Sequence, residues 1–226
     1  MTEAGLGHPY SQERPSGGAA QPLPRIAVLV SGRGSNLQAL LDATWRGDLR
    51  AEIALVLCNH AGAPALERAS MRGIPTRLVV RGDYPSREAQ QGAWLSALQE
   101  ARVRLVVLAG FDRILDVSIV RAFPERIVNI HPSLLPAFAG GMAPRPQADA
   151  LAAGVKISGC TAHLVTEEID AGPIIAQAAV PVLEDDTVET LSARILEQEH
   201  RLLPLAVALL LAGKVQVEGR RARIQL

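Results

Sequence analysis

The feature that most constrains the fold is an alternation beginning at Arg25, where short apolar, β-branched runs are separated by longer amphipathic stretches. This alternation predicts an α/β fold, with a predominantly parallel sheet and crossover helices. The apolar residues of each run are consecutive, which indicates strands covered on both faces. The predicted strands are RIAVLV (25–30), AEIALVLC (51–58), PTRLVV (75–80), RLVVLAG (104–110) and RIVNI (126–130). The predicted helices lie near 36–45, 64–72, 86–101 and 117–122.

The pattern changes after Ile130. The stretch HPSLLPAFAGGMAPRP is rich in Pro and Gly, so we predict an extended loop, and loops of this length are usually functional. Two further strands, 158–166 and 173–182, should form an irregular hairpin. A long helix capped by Asp186, with Glu189 three residues later, should follow to about residue 212, kinked at Pro204. A KVQVEGRRARI hairpin completes the pattern.

Length and composition suit one large domain, residues 25–226, after a disordered leader, residues 1–24. The leader lacks the apolar core of a secretory signal, and the longest late apolar run, LAVALLLA, is too short to span a membrane. The 23 basic and 23 acidic residues cancel, so no net field favours nucleic acid or an anionic membrane. Cys58 and Cys160 lie in apolar stretches that suit reduced, buried thiols. We therefore expect a cytoplasmic protein with no membrane, nucleic-acid or metal partner.

A glycine-rich segment, SGRGSN from Ser31 to Asn36, follows the first predicted strand and precedes a helical pattern that begins at Leu37. Its glycines permit a tight turn, and the first amides of the helix would form an anion cradle. The segment lacks the GK[ST] of a P-loop and the third glycine of the dinucleotide motif. It predicts a phosphate site, with a plain glycine turn as the alternative.

Asn129 and His131 end the fifth predicted strand. Because side chains alternate along a strand, both should face the same side, at the carboxyl edge where open α/β sheets bind ligands. An amide donor beside an imidazole suits acyl transfer, in which the amide stabilises an oxyanion and the imidazole exchanges protons. A satisfied turn at a strand end is the alternative for this pair.

Asp170 lies in TEEIDAGP, a turn that follows the strand carrying Thr161 and His163. If the turn folds over the same sheet edge, the carboxylate reaches His131 and favours the imidazolium. Asp is also common in turns because it hydrogen-bonds its own backbone.

Three further charged residues stand near predicted element ends or in a helix. Arg87 begins a helix and Arg113 follows the fourth strand, so either could meet a carboxylate or polyanion. Glu199 lies within the long predicted helix, where an exposed glutamate is the expectation.

Together these residues resemble a known family, the phosphoribosylglycinamide formyltransferases, or GAR transformylases, of purine synthesis. The resemblance spans roughly residues 25–213. Its motifs, in order, are LVSGRGSNLQAL, LAGFDRIL, IVNIHPSLLPAF, GCTAHLVTEEIDAGPIIAQ and EQEHRLLP. Each motif alone is weak, whereas five in order at suitable spacings are specific.

The resemblance implies a Rossmann-like half that holds a ribose phosphate, residues 25–123, and a catalytic and folate-binding half, residues 124–226. It implies direct transfer of a formyl group from the co-substrate 10-formyltetrahydrofolate to the amine of 5-phosphoribosylglycinamide (GAR), without a metal. We expect only these small-molecule partners, and a monomer or weak homodimer.

The resemblance also implies residue roles. Asn129, His131 and Asp170 match the catalytic residues, with Asp170 raising the pKa of a protonated His131 that stabilises the oxyanion with Asn129. The residues matching the GAR site are Gly34, Ser35, Asn36, the amides of Leu37 and Gln38, and Glu199. The residues matching the folate site are Arg87, Asp112, Arg113, Ile114, Leu115 and, again, Asn129.

Two departures from the family pattern stand out. After LLPAF the chain has AGGMAPRPQADAL, several residues longer than usual and without the usual histidines, which affects the folate loop. Asp112 stands where methionine is common, and could weaken packing around the pterin or shift the affinity for folate.

Other readings share part of this pattern. Methionyl-tRNA formyltransferases and formyltetrahydrofolate hydrolases have a similar Asn-x-His and aspartate core, but we expect an extra nucleic-acid-binding domain in the former and a preceding regulatory domain in the latter. A non-catalytic nucleotide-sensing module of the same fold is the alternative from another class. The intact Asn129, His131 and Asp170 argue against a sensor.

Overall fold

The computed structural model describes residues 22–225. Residues 1–21 of the predicted disordered leader therefore lie outside the described residues. The strands are β1 (Arg25–Val30), β2 (Glu52–Cys58), β3 (Thr76–Leu78), β4 (Leu105–Leu108), β5 (Ile127–His131), β6 (Ile157–Leu164), β7 (Ile174–Pro181), β8 (Val215–Glu218) and β9 (Arg221–Ile224). The helices are α1 (Ser35–Arg46), α2 (Pro64–Ser70), α3 (Arg87–Glu100), α4 (Val117–Ala122), α5 (Arg145–Ala152) and α6 (Val188–Leu211), with a 3₁₀ turn at Arg81–Asp83.

The strands form one sheet in the order β3-β2-β1-β4-β5-β6-β7-β9-β8. The β3-β2-β1-β4-β5 part is parallel, and β6 and β7 extend it in antiparallel fashion. A register shift between Ala162 and His163 makes the β6–β7 hairpin irregular, as predicted. The predicted α/β fold, a Rossmann-like and mostly parallel sheet with flanking helices and a long late helix, is confirmed.

Both faces of the sheet are covered, because successive residues of β1 enter different cores. Ile26 and Val28 pack into a cluster that includes residues of α1 and α6. Ala27 and Leu29 pack into a second cluster around Trp94 of α3 and residues of α4. This two-sided burial explains the consecutive apolar residues in the sequence, since a strand with one wet face would alternate.

Several predicted details differ in the structure. The loop after β5 is interrupted by α5, which begins at Arg145 with proline in its first turn, a position where the missing N–H costs nothing. Thr187, not Asp186, caps α6 by exchanging hydrogen bonds with Thr190. Asp186 instead pairs with Arg194 and accepts from the Leu183 amide. Helix α6 contains Pro204 and ends at Leu211, in agreement with the predicted end near residue 212.

The two cysteines are buried and free, as expected. Burial raises the pKa of the Cys58 thiol and raises that of Cys160 to about 12. Within residues 22–225, no helix combines the length and the apolar character needed to cross a membrane.

Candidate active site

A cavity of about 850 Å³ lies at the carboxyl edge of the parallel strands. Its walls come from the ends of β1, β4 and β5, the turn after β6, the loop before α5, and the middle of α6. The structure brings most of the predicted site residues together here. Those lining the cavity are Asn36, Arg87, Asp112, Arg113, Ile114, Leu115, Asn129, His131, Asp170 and Glu199.

The glycine-rich loop after β1 turns into α1 as predicted. Gly34 has φ 73°, the left-handed region, and serves as the N-cap without a side-chain cap. An added Cβ at Gly34 would lie 2.7 Å from the Cβ of Ala65, so glycine is also required by close packing against α2. The first amides of α1 therefore remain available for an anion.

Gln38, which the resemblance places in the GAR site, has hydrogen-bond partners of its own. Its amide already donates to the Gly34 carbonyl at 2.9 Å, so it is not one of the free amides of the first turn. Its side chain donates to Asp42 and accepts from Arg68 in a separate groove of about 340 Å³, which Ser35 also lines. The unbonded amides of the first turn of α1 therefore end before Gln38.

Glu199 is buried rather than exposed, so the general expectation for a helix glutamate is wrong here. Only 7% of Glu199 is accessible, and its carboxyl accepts a hydrogen bond from Asn36 Nδ2 at 2.7 Å. Burial raises the pKa of Glu199 to about 7, against the opposing effect of the Asn36 bond. The pair joins α6 to the first turn of α1 at the inner wall of the cavity.

Asn129 and His131 both line the cavity, in agreement with the strand alternation. Asn129 is opposite His163 in the β5–β6 register, and Asn129 Nδ2 lies 3.1 Å from His163 Nε2. His163 Nδ1 lies 3.0 Å from the Leu164 carbonyl and must donate there, so Nε2 accepts from Asn129. This bond fixes the orientation of the Asn129 amide and leaves its second N–H for a ligand.

Asp170 folds over the same edge and approaches both histidines. Its Oδ2 lies 3.3 Å from His131 Nδ1 and its Oδ1 lies 3.6 Å from His163 Nε2. The backbone of Asp170 has φ 51°, a left-handed conformation that Asp tolerates better than most residues. Burial acts to raise the pKa of Asp170, but the neighbouring His163 ring, the bond from the Gly140 amide and the electrostatic effect of His131 hold it below its usual value.

The environment of His131 balances opposing effects. Burial lowers the pKa of His131 below its usual value, and Asp170 and the Phe138 carbonyl offset this only in part. Asp170 acts to raise the pKa of His131, as predicted, but the lowering by burial is larger. Both ring nitrogens nevertheless face oxygen acceptors, since Nε2 lies 3.1 Å from the Phe138 carbonyl and Nδ1 faces Asp170. The protonated ring can donate to both oxygens, whereas the neutral ring donates through one nitrogen only, so these partners favour the imidazolium while burial opposes it.

The loop before α5 reaches the Asp170 carboxylate despite its unusual sequence. The Gly140 amide donates to Asp170 Oδ2 at 2.8 Å, and residues 140–143 line the cavity. The departure after LLPAF therefore leaves the loop in contact with the site.

The segment from Asp112 to Leu115 forms the opposite wall. Arg87 and Gln91 both donate to the Ile114 carbonyl, at 3.2 and 2.9 Å. Arg81, Arg87 and Arg113 give this side of the cavity positive charge. The side chain of Asp112 lies among polar groups rather than in apolar packing, bonded to Ser31, Asn59 and His60.

Sequence reasoning did not identify several of these residues. His163 could have been recognised because it alternates with Thr161 on a strand beside Asn129. Gly140 and Gln91 carry no such signal, since their roles depend on how a loop and a helix pack. No group of three or more His, Cys, Asp or Glu side chains suited to a metal ion occurs among the residues that the structure describes.

Comparison with known proteins agrees with this geometry. Residues 24–207 match the formyl transferase family. The chain is 38% identical over 200 residues to the phosphoribosylglycinamide formyltransferase of Haemophilus influenzae, covering 88% of this chain and 93% of that protein. The glycinamide ribonucleotide transformylase 1 structure from Symbiobacterium toebii superposes with a TM-score of 0.87 at 49% identity, covering 90% of this chain and 95% of that one.

A longer relative also matches. The trifunctional purine biosynthetic protein adenosine-3 of Gallus gallus is 49% identical over 193 residues, which cover 85% of this chain. The match spans only 19% of that protein's length.

Proposed function

The chain belongs to the formyl transferase family, and we propose that it transfers the formyl group of 10-formyltetrahydrofolate to the amine of GAR, giving formyl-GAR and tetrahydrofolate. One observation carries this proposal: a single cavity joins the Asn129, His131 and Asp170 cluster to the first turn of α1 and to a basic wall. A nucleotide sensor needs an anion cradle but has no use for a proton-exchanging group beside an amide donor.

The GAR phosphate binds at the first turn of α1 in this proposal. The uncapped amides after Gly34 and the positive end of the helix dipole favour an anion. Asn36 and Glu199 then face the rest of GAR. The Asn36 Oδ1 atom is buried and accepts no hydrogen bond within residues 22–225, so it suits a substrate hydroxyl or amine.

The folate binds along the other wall of the cavity. Buried apolar side chains, including Leu108, Phe111 and Leu115, suit a flat heterocycle. Backbone groups of residues 112–115 can bond its polar edge, and Arg87 and Arg113 suit the carboxylates of its tail. The two substrates then meet at Asn129 and His131.

The proposed chemistry uses the cluster in the following order. The GAR nitrogen attacks the formyl carbon, a C–N bond forms, and negative charge develops on the formyl oxygen. The free N–H of Asn129 and a protonated His131 stabilise that oxygen. The amine then loses one proton and N10 of the folate gains one as the C–N10 bond breaks, with His131 and Asp170 mediating the transfer.

The opposing effects on the pKa of His131 suit this order of proton transfers. Burial lowers the pKa of His131 and favours the neutral imidazole, while Asp170 and the Phe138 carbonyl favour the charged ring. The neutral ring can accept a proton from the attacking amine, and the charged ring can return a proton to the leaving nitrogen.

The function is tested by mixing enzyme with 10-formyltetrahydrofolate, with and without GAR, while following absorbance and identifying products by mass spectrometry. We expect tetrahydrofolate and formyl-GAR to form in equal amounts, and only with GAR present. Formate released without GAR would indicate a hydrolase, and binding of both ligands without turnover would indicate a sensor.

We also propose a cytoplasmic location, a single formyltransferase domain over residues 25–226, and a monomer or weak homodimer. Two buried, free thiols support a reducing compartment. Sedimentation velocity over a range of protein concentrations tests the oligomeric state.

A further inference from the structure

Four polar side chains join the carboxyl ends of three neighbouring parallel strands. Ser31 follows β1, Asn59 and His60 follow β2, and Asp112 follows β4, and these strands are adjacent in the order β2-β1-β4. We call this group the strand-end network. None of its members except Asp112 has a role in the site described above.

Asp112 is the centre of the strand-end network. Its Oδ1 lies 2.6 Å from Asn59 Nδ2 and 2.9 Å from Ser31 Oγ, and its Oδ2 lies 2.7 Å from His60 Nε2. The Asp112 amide also donates to Ser31 Oγ at 2.8 Å. Although burial acts to raise it, bonds from Asn59, His60 and Ser31 hold the pKa of Asp112 below its usual value. The carboxylate is thus ionised and held from three sides.

The strand-end network fixes one end of the cavity wall at residues 112–115. The other end is held by α3, because Gln91 bonds both the Ile114 carbonyl and the Asp116 amide. Between these anchors, residues 112–115 line the cavity. An apolar side chain at position 112 could accept none of the Ser31, Asn59 and His60 bonds, so the anchor depends on the Asp112 carboxylate.

We propose that Asp112, held by Ser31, Asn59 and His60, is a positioning residue that sets the affinity for the folate by fixing the backbone of residues 112–115. It does not enter the chemistry, because its carboxylate is occupied by the network. This inference rests on the proposed function for the identity of the ligand. It assigns a side-chain role to Ser31, Asn59 and His60 in folate binding.

The test compares Asp112→Ala, Asp112→Asn and His60→Ala with wild type. In Asp112→Ala the anchor is lost, and we expect the KM for 10-formyltetrahydrofolate to rise about tenfold, equivalent to about 1.4 kcal/mol. The kcat and the KM for GAR should change less than about twofold, since residues 129, 131 and 170 are untouched. Asp48→Ala, which removes an exposed carboxylate paired with Arg46, is the control and should leave all three constants unchanged.

Rescue by the conservative variant separates positioning from general damage. The Asn of Asp112→Asn can accept from Ser31 and Asn59 and donate to His60, so its folate KM should stay within about threefold of wild type. The double variant of Asp112→Ala and His60→Ala should be no worse than Asp112→Ala alone, because both remove one network.

A binding measurement keeps the inference independent of turnover. Calorimetry with a non-reactive 10-formyl folate analogue should show Kd about tenfold weaker in Asp112→Ala, whether or not GAR proves to be the acceptor. An unchanged Kd and KM for folate in Asp112→Ala would overturn the proposal. Equal losses for both substrates, or wild-type protein that binds no folate, would overturn it too.

Discussion

Glu199→Gln should remove a pH-dependent cost to stability that follows from burying a carboxyl. Only 7% of Glu199 is accessible to solvent, and burial raises the pKa of its carboxyl from 4.5 to about 7. Between these two values the folded protein holds a proton that the unfolded chain releases. Stability therefore falls as pH rises through this window.

The size of the stability loss follows from the pKa shift of Glu199. At 1.36 kcal/mol for each pKa unit, the wild type loses about 3 kcal/mol between pH 4.5 and 7, whereas a glutamine loses none from this position. The glutamine can still accept the Asn36 bond. Urea unfolding at pH 5, 6, 7 and 8 should show Glu199→Gln gaining stability relative to wild type as pH rises.

The control is Glu197→Gln, an exposed glutamate on the same helix, which should not reproduce the gain expected for Glu199→Gln. A difference for Glu199→Gln that stays flat across pH would refute the reasoning, because it would mean that Glu199 ionises at its ordinary pH despite its burial. The same change should raise the KM for GAR if Glu199 accepts a substrate hydrogen bond.

Three further substitutions test other parts of the structure. In Gly34→Ala the backbone would have a positive φ and the added Cβ would lie 2.7 Å from Ala65, so denaturant unfolding should show a loss of about 2 to 4 kcal/mol in the free energy of unfolding. Steady-state kinetics should show a raised KM for GAR. Unchanged stability would contradict the strained turn. Arg87→Ala should raise the KM for folate about tenfold with little change in the KM for GAR, measured by steady-state kinetics, since a charged hydrogen bond is lost; equal effects on both substrates would count against it. Thr187→Ala should lower the unfolding free energy by about 1 kcal/mol, because the α6 cap is lost. Hydrogen exchange should be faster at the start of α6 in this variant, whereas Ser118→Ala, which lies outside that cap, should leave exchange in α6 unchanged.

The fold was predictable because its signals are local. Consecutive apolar residues such as those of β1 and β2 are required by a sheet covered on both sides, and that requirement is visible in any single strand. The start of α5 was not predictable in the same way, because Gly and Pro before Arg145 indicate a loop and only packing against α6 favours the helix. The α6 cap was misassigned by one residue, since Asp186 and Thr187 are both good caps and the choice depends on Arg194.

The site was predictable where side chains share a strand or a strand end. Asn129 and His131 are two residues apart on β5, so their alignment follows from the pleat. The burial of Glu199 depends on the packing of α6 against α1, which no local pattern encodes. The lowered pKa of His131 could not be predicted from the sequence either, because the burial that lowers it depends on the loop that contributes Phe138 and Gly140.

The most direct test of the central claim is the GAR-dependent kcat of His131→Ala, Asn129→Ala and Asp170→Asn, measured beside the Kd of each variant for GAR. The control is Asp149→Asn, which alters an exposed carboxylate paired with Arg145 on α5. We predict that kcat falls about a hundredfold or more in the three site variants, as expected for loss of acid–base or oxyanion groups, with the Kd for GAR changed less than about threefold. A His131→Ala enzyme that retains wild-type kcat would contradict the assignment of the chemistry to this cluster.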